Sequence, residues 1–258
     1  MTTEKPLSTK SPLRYPGGKT RAVKTLLPLF PEDAKVIGSP FFGGGSIELA
    51  LTGIGKTIVA ADVFGFLVDF WQEMLSNPGK LADEIEPYLG TVTRDKFLDM
   101  QKTGVPEDRT ESAVKFFILN RCSFSGAGLS GGYSSSSAVD RFTKSAVDRV
   151  RDFHNPNVTV KHDDFEHFIL NEKYDCLFLD PPYFIPSKLY GKNGDLQRGF
   201  DHYRLREILE DITVPVVMTY NNGEEIRDMY GDWNQTETSW AYGMNKSKQS
   251  SELILTNF

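Results

Sequence analysis

Short apolar runs alternate with amphipathic helical patterns along most of this 258-residue chain. Several of the runs are apolar throughout, which is typical of strands that are covered on both faces of a parallel sheet. The helical patterns lie around Leu49, Trp71, Phe168 and Ile208. Strands that alternate with helices predict a doubly wound α/β fold. The six runs with strand character are residues 34–38, 57–61, 158–161, 174–179, 214–220 and 251–257.

The alternation stops between residues 76 and 157. This region contains helix-like segments followed by a Gly- and Ser-rich stretch, SFSGAGLSGGYSSSS, and it has no convincing parallel strand. We therefore predict an inserted, mainly helical subdomain with one long loop or hairpin. Residues 10–75 and 158–258 would together form the α/β domain, and residues 1–9 are expected to be a flexible N-terminus.

The composition is that of an ordinary soluble protein, with 39% apolar and 25% charged residues. The N-terminus has no apolar core of signal-peptide length, and no run approaches the ~20 apolar residues that span a bilayer. We expect no membrane contact. Cys122 and Cys176 lie in apolar segments without a CxxC or a His/Cys cluster, which predicts buried, reduced thiols and no metal site.

The charge is unevenly distributed. A formal net charge of −6 argues mildly against a nucleic-acid partner, because phosphate binding depends on Lys and Arg. However, basic residues gather at 10–24 and 183–206, whereas acidic residues gather at 83–111. One face could therefore be basic and another acidic. The alternative is that these are solvated loops with incidental charge.

The stretch SPFFGGGS follows the first run and precedes a helix. Its glycines, including Gly43 and Gly45, would let the backbone pass close to a ligand, and Ser46 is predicted to cap the helix. Asp62 ends the next run, where a carboxylate can accept hydrogen bonds from ribose hydroxyls. The GxGxxG spacing and the P-loop pattern are both absent, which disfavours NAD and NTP binding. A Gly-rich turn with an exposed aspartate is the structural alternative.

Two further motifs are ambiguous by themselves. RYPGGK presents Tyr15 and Lys19 on either side of a Pro-Gly-Gly turn, which alone indicates no more than a surface turn. HDDF follows the third run, where Asp164 and Phe165 would hold an adenine ring by a hydrogen bond and a ring contact. A helix N-cap explains its aspartates equally well.

The stretch LFLDPPY ends the fourth run. Because two prolines cannot continue a hydrogen-bonded ladder, one interpretation is a strand terminator alone. The other is a substrate site, since this run is expected beside the first, where the strand order reverses and ligands bind. Asp180 and the Pro181 carbonyl, held rigid with the help of Pro182, would accept both N–H bonds of an amino group on a base. Tyr183 would give an extruded base a ring to stack on.

These motifs together resemble the Dam-like, alpha-group family of adenine-specific DNA methyltransferases, which use S-adenosylmethionine. The likeness covers nearly the whole chain, from RYPGGK through SPFFGGGS, NRCSFSG and LDPPY to the closing YGMNKSKQSSELILTNF. It implies a mostly parallel seven-stranded methyltransferase sheet, an inserted target-recognition subdomain and a catalytic motif at Asp180–Tyr183. The cofactor site that it implies consists of Tyr15, Lys19, Phe41, Gly43, Gly45, Ser46, Asp62, Asp164, Phe165 and Asp180.

Two departures from this family bear on the site. Ser39 stands where the family often has Asp, which removes one cofactor contact. The region that reads target bases in Dam-type enzymes is AGLSGGYSSSS here, so recognition of GATC cannot be transferred. The residues predicted to contact DNA are Arg121, Tyr133, Arg141, Lys188, Lys192 and Arg198. The loop that holds the last three of them could instead be a surface lid without DNA contact.

The resemblance predicts methyl transfer from S-adenosylmethionine to N6 of a flipped-out adenine in double-stranded DNA, leaving S-adenosylhomocysteine and using no metal. Cytosine-N4 methylation is an alternative, although such enzymes more often carry Ser in place of Asp180. RNA or protein-amide methylation and a catalytically silent DNA-binding relative are the others. We expect a monomer or weak dimer in the cytoplasm of a bacterial or virus-infected cell, with nucleoid or nucleus as alternatives, and a cognate restriction endonuclease as a partner.

Overall fold

The computed structural model describes residues 5–184, 199–241 and 249–258. A seven-stranded sheet in the order β3-β2-β1-β4-β5-β7-β6 runs through the protein. The first five strands are parallel, and β7 is antiparallel to both of its neighbours. This confirms the mostly parallel, seven-stranded α/β fold. The strands are β1 Val36–Ser39, β2 Thr57–Asp62, β3 Val158–His162, β4 Cys176–Leu179, β5 Val216–Asn221, β6 Asn234–Ala241 and β7 Gln249–Thr256.

The strand order places a ligand crevice at the carboxyl ends of β1 and β4. From β1 the chain moves outwards through β2 to β3, and it then returns to add β4 and β5 on the other side. The connections that follow β1 and β4 therefore diverge, which opens a space between them. The central strands are buried, as their apolar sequences predict. In β4, for example, all four residues are buried.

The helices pack on the sheet or form the insert. Several begin at side-chain caps, such as Thr93, Asp108 and Asp201, each of which accepts a hydrogen bond from a backbone amide in the first turn. The helices are α1 Val23–Leu26, α2 Ser46–Thr52, α3 Gly65–Ser76, α4 Pro78–Ile85, α5 Arg94–Lys102, α6 Arg109–Cys122, α7 Ser135–Asp140, α8 Lys144–Arg151, α9 Phe165–Asn171, α10 His202–Glu210 and α11 Glu224–Met229.

The insert is helical and shares its core with the α/β domain. Helices α4 to α8 lie between residues 76 and 157, and the rings of Phe70 in α3 and Phe117 in α6 stack with centroids 5.6 Å apart. The Gly- and Ser-rich stretch closes on itself through an antiparallel bridge between Ser123 and Tyr133. One hydrophobic cluster thus runs from the sheet into the insert, which fixes the insert relative to the sheet.

Ser8 lies within the segment that was expected to be flexible, and it is held in place. Its amide donates to the His154 carbonyl over 2.7 Å, and its carbonyl accepts from the Asn155 side chain over 3.0 Å. Residues 1–4 of that segment lie outside the described residues. Cys122 and Cys176 are free thiols in the core, as predicted. No helix in the described parts of the chain is long and apolar enough to cross a membrane.

Candidate active site

The turn after β1 is built on glycine. Gly43 and Gly45 have φ angles of 49° and 64°, a conformation that disfavours side chains. Trp71 in α3 stabilises the turn, because its indole N–H donates to the Gly43 carbonyl over 2.9 Å. The prediction that Ser46 caps α2 is wrong: Gly45 is the N-cap, and the Ser46 hydroxyl lies 3.2 Å from that of Thr20.

Tyr15 occupies the space that the glycines leave. A Cβ atom on Gly44 would lie 2.7 Å from Cβ of Tyr15, and one on Gly43 would lie 3.0 Å from its Cε1. Tyr15 fits against the turn because these glycines have no side chains. The RYPGGK turn therefore packs against the end of β1. This contact makes the N-terminal motif part of the site.

Asp62 joins the glycine turn to the end of β2. Its two carboxylate oxygens accept hydrogen bonds from the amides of Gly43 and Phe64, each over 2.9 Å. Burial raises the pKa of the Asp62 carboxyl above its ordinary value, although the two amides act in the opposite direction. Because a carboxylate has about four acceptor positions, Asp62 retains capacity for donors on a ligand.

Asp180, at the end of β4, forms an ion pair with Lys19. The Lys19 Nζ lies 2.7 Å and 2.9 Å from the two Asp180 oxygens, and the Lys19 side chain is only 3% exposed. Thr219 in β5 donates to Asp180 Oδ1 over 2.8 Å. Both charged residues belong to the predicted cofactor set, but no local sequence pattern indicates that they pair.

Tyr183 extends this hydrogen-bond network from Lys19 to β7. Its hydroxyl accepts from Lys19 Nζ over 2.8 Å and donates to Glu252 in β7, which is 1% exposed. Its ring stacks on Tyr220 with centroids 6.1 Å apart. Both ends of the Tyr183 side chain are thereby fixed by contacts that the sequence motif alone does not reveal.

A cavity of about 400 Å³ lies between the glycine turn, Lys19 and Asp180, within the size range of small-molecule sites. All of the residues in the predicted cofactor set line this cavity, together with Pro182, whereas Pro181 is buried and Tyr183 lies outside its wall. Asp180 and the glycine turn therefore line one cavity. The individual roles of these residues remain predictions.

Aromatic rings cover one side of the cavity. Phe41 stacks on Phe165 at 5.7 Å and meets Phe200 edge-on at 5.5 Å, and all three line the cavity. Phe200 was not predicted as a cavity residue. Asp164 lies beside them as the N-cap of α9, where it accepts a hydrogen bond from the Glu166 amide over 2.8 Å. Asp164 therefore both caps α9 and lines the cavity, and its contact with an adenine ring stays a prediction.

The residues predicted to contact DNA divide into four groups. Arg121 is 5% exposed and donates to the Pro12 carbonyl, so its prediction as a DNA contact is wrong. Tyr133 is held by a hydrogen bond to the Val92 carbonyl over 3.0 Å and supports the insert. Arg141 is exposed at the end of α7. Lys188, Lys192 and Arg198 lie outside the described residues.

The basic residues that follow in α10 are locally neutralised. Arg204 pairs with Glu166 and Glu207, and Arg206 pairs with Asp232 at 2.9 Å. Their positive charge is therefore largely compensated on the surface of the α/β domain. This end of the predicted basic loop does not form an unpaired charged patch.

A family model described as D12 class N6 adenine-specific DNA methyltransferase matches residues 15–244. This match covers the glycine turn, the insert and the Asp180 motif. The chain belongs to this family. The D12 assignment confirms the resemblance that the sequence motifs indicated, and it identifies the chain as an adenine-specific DNA methyltransferase.

Curated relatives have type II modification names. The type II methyltransferase M1.LlaDCHI of Lactococcus lactis subsp. cremoris is 22% identical, over 95% of this chain and 94% of its own length. The modification methylase StsI of Streptococcus sanguinis is 23% identical, over 96% of this chain and 43% of its own length. M.FokI of Planomicrobium okeanokoites is 26% identical, over 77% of this chain and 32% of its own length. The D12 chain thus spans less than half of the last two.

Sequence reasoning missed several side chains of this D12 site. Thr219 and Glu252 reach it from β5 and β7, which are distant in sequence from the Asp180 motif. Glu48 lines the cavity from α2, where the only available signal was one acidic residue in an otherwise apolar helix, IELALT. Tertiary packing, rather than a local pattern, brings these groups to Asp180.

Proposed function

We propose that the chain transfers the methyl group of S-adenosylmethionine to N6 of an adenine that has been flipped out of duplex DNA, with Asp180 as the acceptor that positions the amino group. The observation that carries this proposal is the position of the Asp180 carboxylate in the wall of the same cavity as the glycine turn and Asp62. Methyl donor and base can then meet at the end of β4.

The hydrogen bonds of Asp180 leave room for a base. Lys19 contacts both oxygens and Thr219 contacts Oδ1, which uses three of about four acceptor positions. The remaining position on Oδ2 can accept one N6–H, while the Pro181 carbonyl accepts the other. These bonds draw the amino nitrogen towards tetrahedral geometry and make its lone pair available. The N–CH₃ bond forms as the S–CH₃ bond breaks, and the released proton passes to solvent.

The cavity offers contacts that suit a nucleoside. Asp62 and Asp164 supply carboxylates, and the rings of Phe41, Phe165 and Phe200 supply flat apolar walls. Hydroxyl groups of a ribose and the faces of an adenine ring match these two kinds of surface. S-adenosylmethionine would supply an activated methyl group there, so that the protein's contribution is orientation and electrostatics rather than a metal or a covalent nucleophile.

One experiment tests the reaction and its target. Mixed-sequence duplex DNA is incubated with S-adenosylmethionine and the purified protein, the DNA is digested, and the modified nucleoside is identified while modified positions are mapped by sequencing. We expect N6-methyladenine at one short sequence. N4-methylcytosine or no modification of the DNA would contradict the proposal.

The partner and assembly proposals rest on different grounds. The type II names of the relatives support a cognate restriction endonuclease, whose cleavage the mapped methylation would block. A monomer or weak dimer remains a prediction that sedimentation can test. Neither is needed for the chemistry at Asp180.

We further propose that an arginine cluster beside the insert binds the phosphates of the DNA. The cluster consists of Arg14, Arg141 and Arg149, which surround the buried Arg121. The pKa of Arg121 is lowered to about 10 by burial and by the charges of the other three arginines, which supports their proximity. Arg14 also contacts Ser137 in α7 over 3.4 Å, and Arg141 follows α7. Within residues 5–184, 199–241 and 249–258, none of the four is in an ion pair with a carboxylate.

The exposed members of this cluster can be tested with a matched pair in α8. Arg149 has no acidic partner in the described structure, whereas Arg151 pairs with Asp83 and Glu86. We expect R149A to weaken binding to a labelled duplex and to reduce the slope of log affinity against log salt by about 1. R151A should leave that slope unchanged. Equal slopes for R149A and the wild-type protein would exclude a phosphate contact at Arg149.

A further inference from the structure

Glu48 is a buried carboxyl group in the cavity wall that the proposed transfer leaves without a role. It lies in α2 and is 2% exposed. Ser39, at the end of β1, donates to Glu48 Oε1 over 2.7 Å. No lysine or arginine in the described part of the chain lies within ion-pair distance of Glu48. The carboxyl group therefore faces the cavity without a cation of its own.

The surroundings of Glu48 favour its neutral form. Burial, and to a smaller extent the charge of Asp180 on β4, raises the pKa of Glu48 to about 8, against the lowering effects of the Ser39 hydroxyl and of backbone amides at the start of α2. The ammonium group of Lys19 is already engaged with Asp180. A cation that enters the cavity would therefore be the missing partner that makes the ionised form favourable.

The contact with Ser39 orients the carboxyl group of Glu48. Ser39 ends β1, and its hydroxyl holds Glu48 Oε1 at the strand end that adjoins the cavity. This contact is visible only when β1 and α2 are packed together.

Resting on the proposed function, we infer that Glu48 is the counter-ion for the positively charged methionine end of S-adenosylmethionine and releases its proton when the cofactor binds. The proton passes from the Glu48 carboxyl to solvent, and no covalent bond to the cofactor forms. Glu48 is thus a positioning residue that acts on the cofactor, whereas Asp180 receives the adenine amino group.

Isothermal titration calorimetry of the wild-type protein and of E48Q, in two buffers with different ionisation enthalpies, tests this inference. At pH 7 we expect the wild type to release close to one proton per cofactor, and its affinity to rise about tenfold between pH 6 and pH 7. E48Q should release none, with an affinity that does not change over this range. E73Q is the matched control, because Glu73 is equally buried but lies outside the cavity and pairs with Arg109; it should behave as the wild type.

Titration with S-adenosylhomocysteine identifies which charged group of the cofactor pairs with Glu48. S-adenosylhomocysteine has the ammonium group but no sulfonium, so proton release with both ligands assigns Glu48 to the ammonium, and release with S-adenosylmethionine alone assigns it to the sulfonium. Either result supports the inference. Equal affinity and equal proton release for E48Q and the wild type would overturn it. Failure of the wild type to bind S-adenosylmethionine would instead contradict the proposed function.

Titration of Glu48 also has a consequence without cofactor. Because its pKa in the folded protein lies above its ordinary value, the folded state binds more protons than the unfolded state between about pH 4.5 and pH 8. The stability that Glu48 contributes is therefore lost as the pH rises through this window. Thermal unfolding of E48Q should depend less on pH than that of the wild type, and parallel curves would show that Glu48 does not titrate as inferred.

Discussion

Replacement of Asp180 by alanine is expected to lower the rate of methyl transfer by about 10²- to 10³-fold, because it removes an acceptor aimed at the reacting nitrogen in a partly enclosed site. It also leaves the buried Lys19 ammonium without its carboxylate. D180N is the cleaner change, since it retains the volume of the side chain while placing an N–H₂ group among the donors Lys19 and Thr219. Single-turnover rates at saturating cofactor separate this loss from weaker binding.

Asp175 provides a matched control at the opposite end of the same strand. Its carboxylate accepts from the amides of Lys35 and Val36 over 2.8 Å, and these bonds lower its pKa. D175A should weaken the attachment of β4 to β1 but leave the transfer rate of the folded protein unchanged. A D180N enzyme that turns over at nearly the wild-type rate would remove Asp180 from the reaction.

The central strands could be predicted from the sequence because both of their faces are buried. β4 and β5 therefore appear as apolar runs, and the Asp180 motif could be placed at a strand end beside β1. By contrast, β6 was not among the predicted runs. Its sequence, NQTETSWA, is mostly polar, because β6 is an edge strand that pairs only with β7 among the described strands.

The site could be predicted where local motifs specify it and not where packing between distant elements does. Asp62 and Asp180 end strands and were identified from that position. Glu48, Thr219 and Glu252 enter through the packing of α2, β5 and β7. Arg121 is basic and lies in a family motif, which favours a DNA contact, but α6 is almost entirely buried, and the Arg121 guanidinium donates to the Pro12 carbonyl inside the protein. Charge in a sequence does not reveal which side of a helix faces solvent.

The change of Lys19 to methionine is expected to cost about 3 kcal/mol of folding stability, since removal of one partner of a buried ion pair leaves the other uncompensated. The estimate lies at the low end of the usual range because the Asp180 side chain is 23% exposed and water can screen it. Methionine retains most of the volume, so packing changes little. Urea denaturation measures the loss. K144M is the comparison, because Lys144 forms an exposed ion pair with Asp148, and the loss of an exposed pair should change the free energy of unfolding far less than the loss of Lys19.

A double-mutant cycle identifies the source of the Lys19 effect. If the loss in K19M arises from the unpaired Asp180 charge, the K19M/D180N protein should be more stable than K19M alone. Because Lys19 also contacts the Tyr183 hydroxyl, which donates to the buried Glu252, D180N should restore only part of the loss and E252Q a further part. Additive losses would mean that Lys19 contributes through its own packing. The Asp180 carboxylate, the Tyr183 hydroxyl and the Glu252 carboxylate would then keep their positions without the Lys19 charge. In that case the site would not depend on the N-terminal turn.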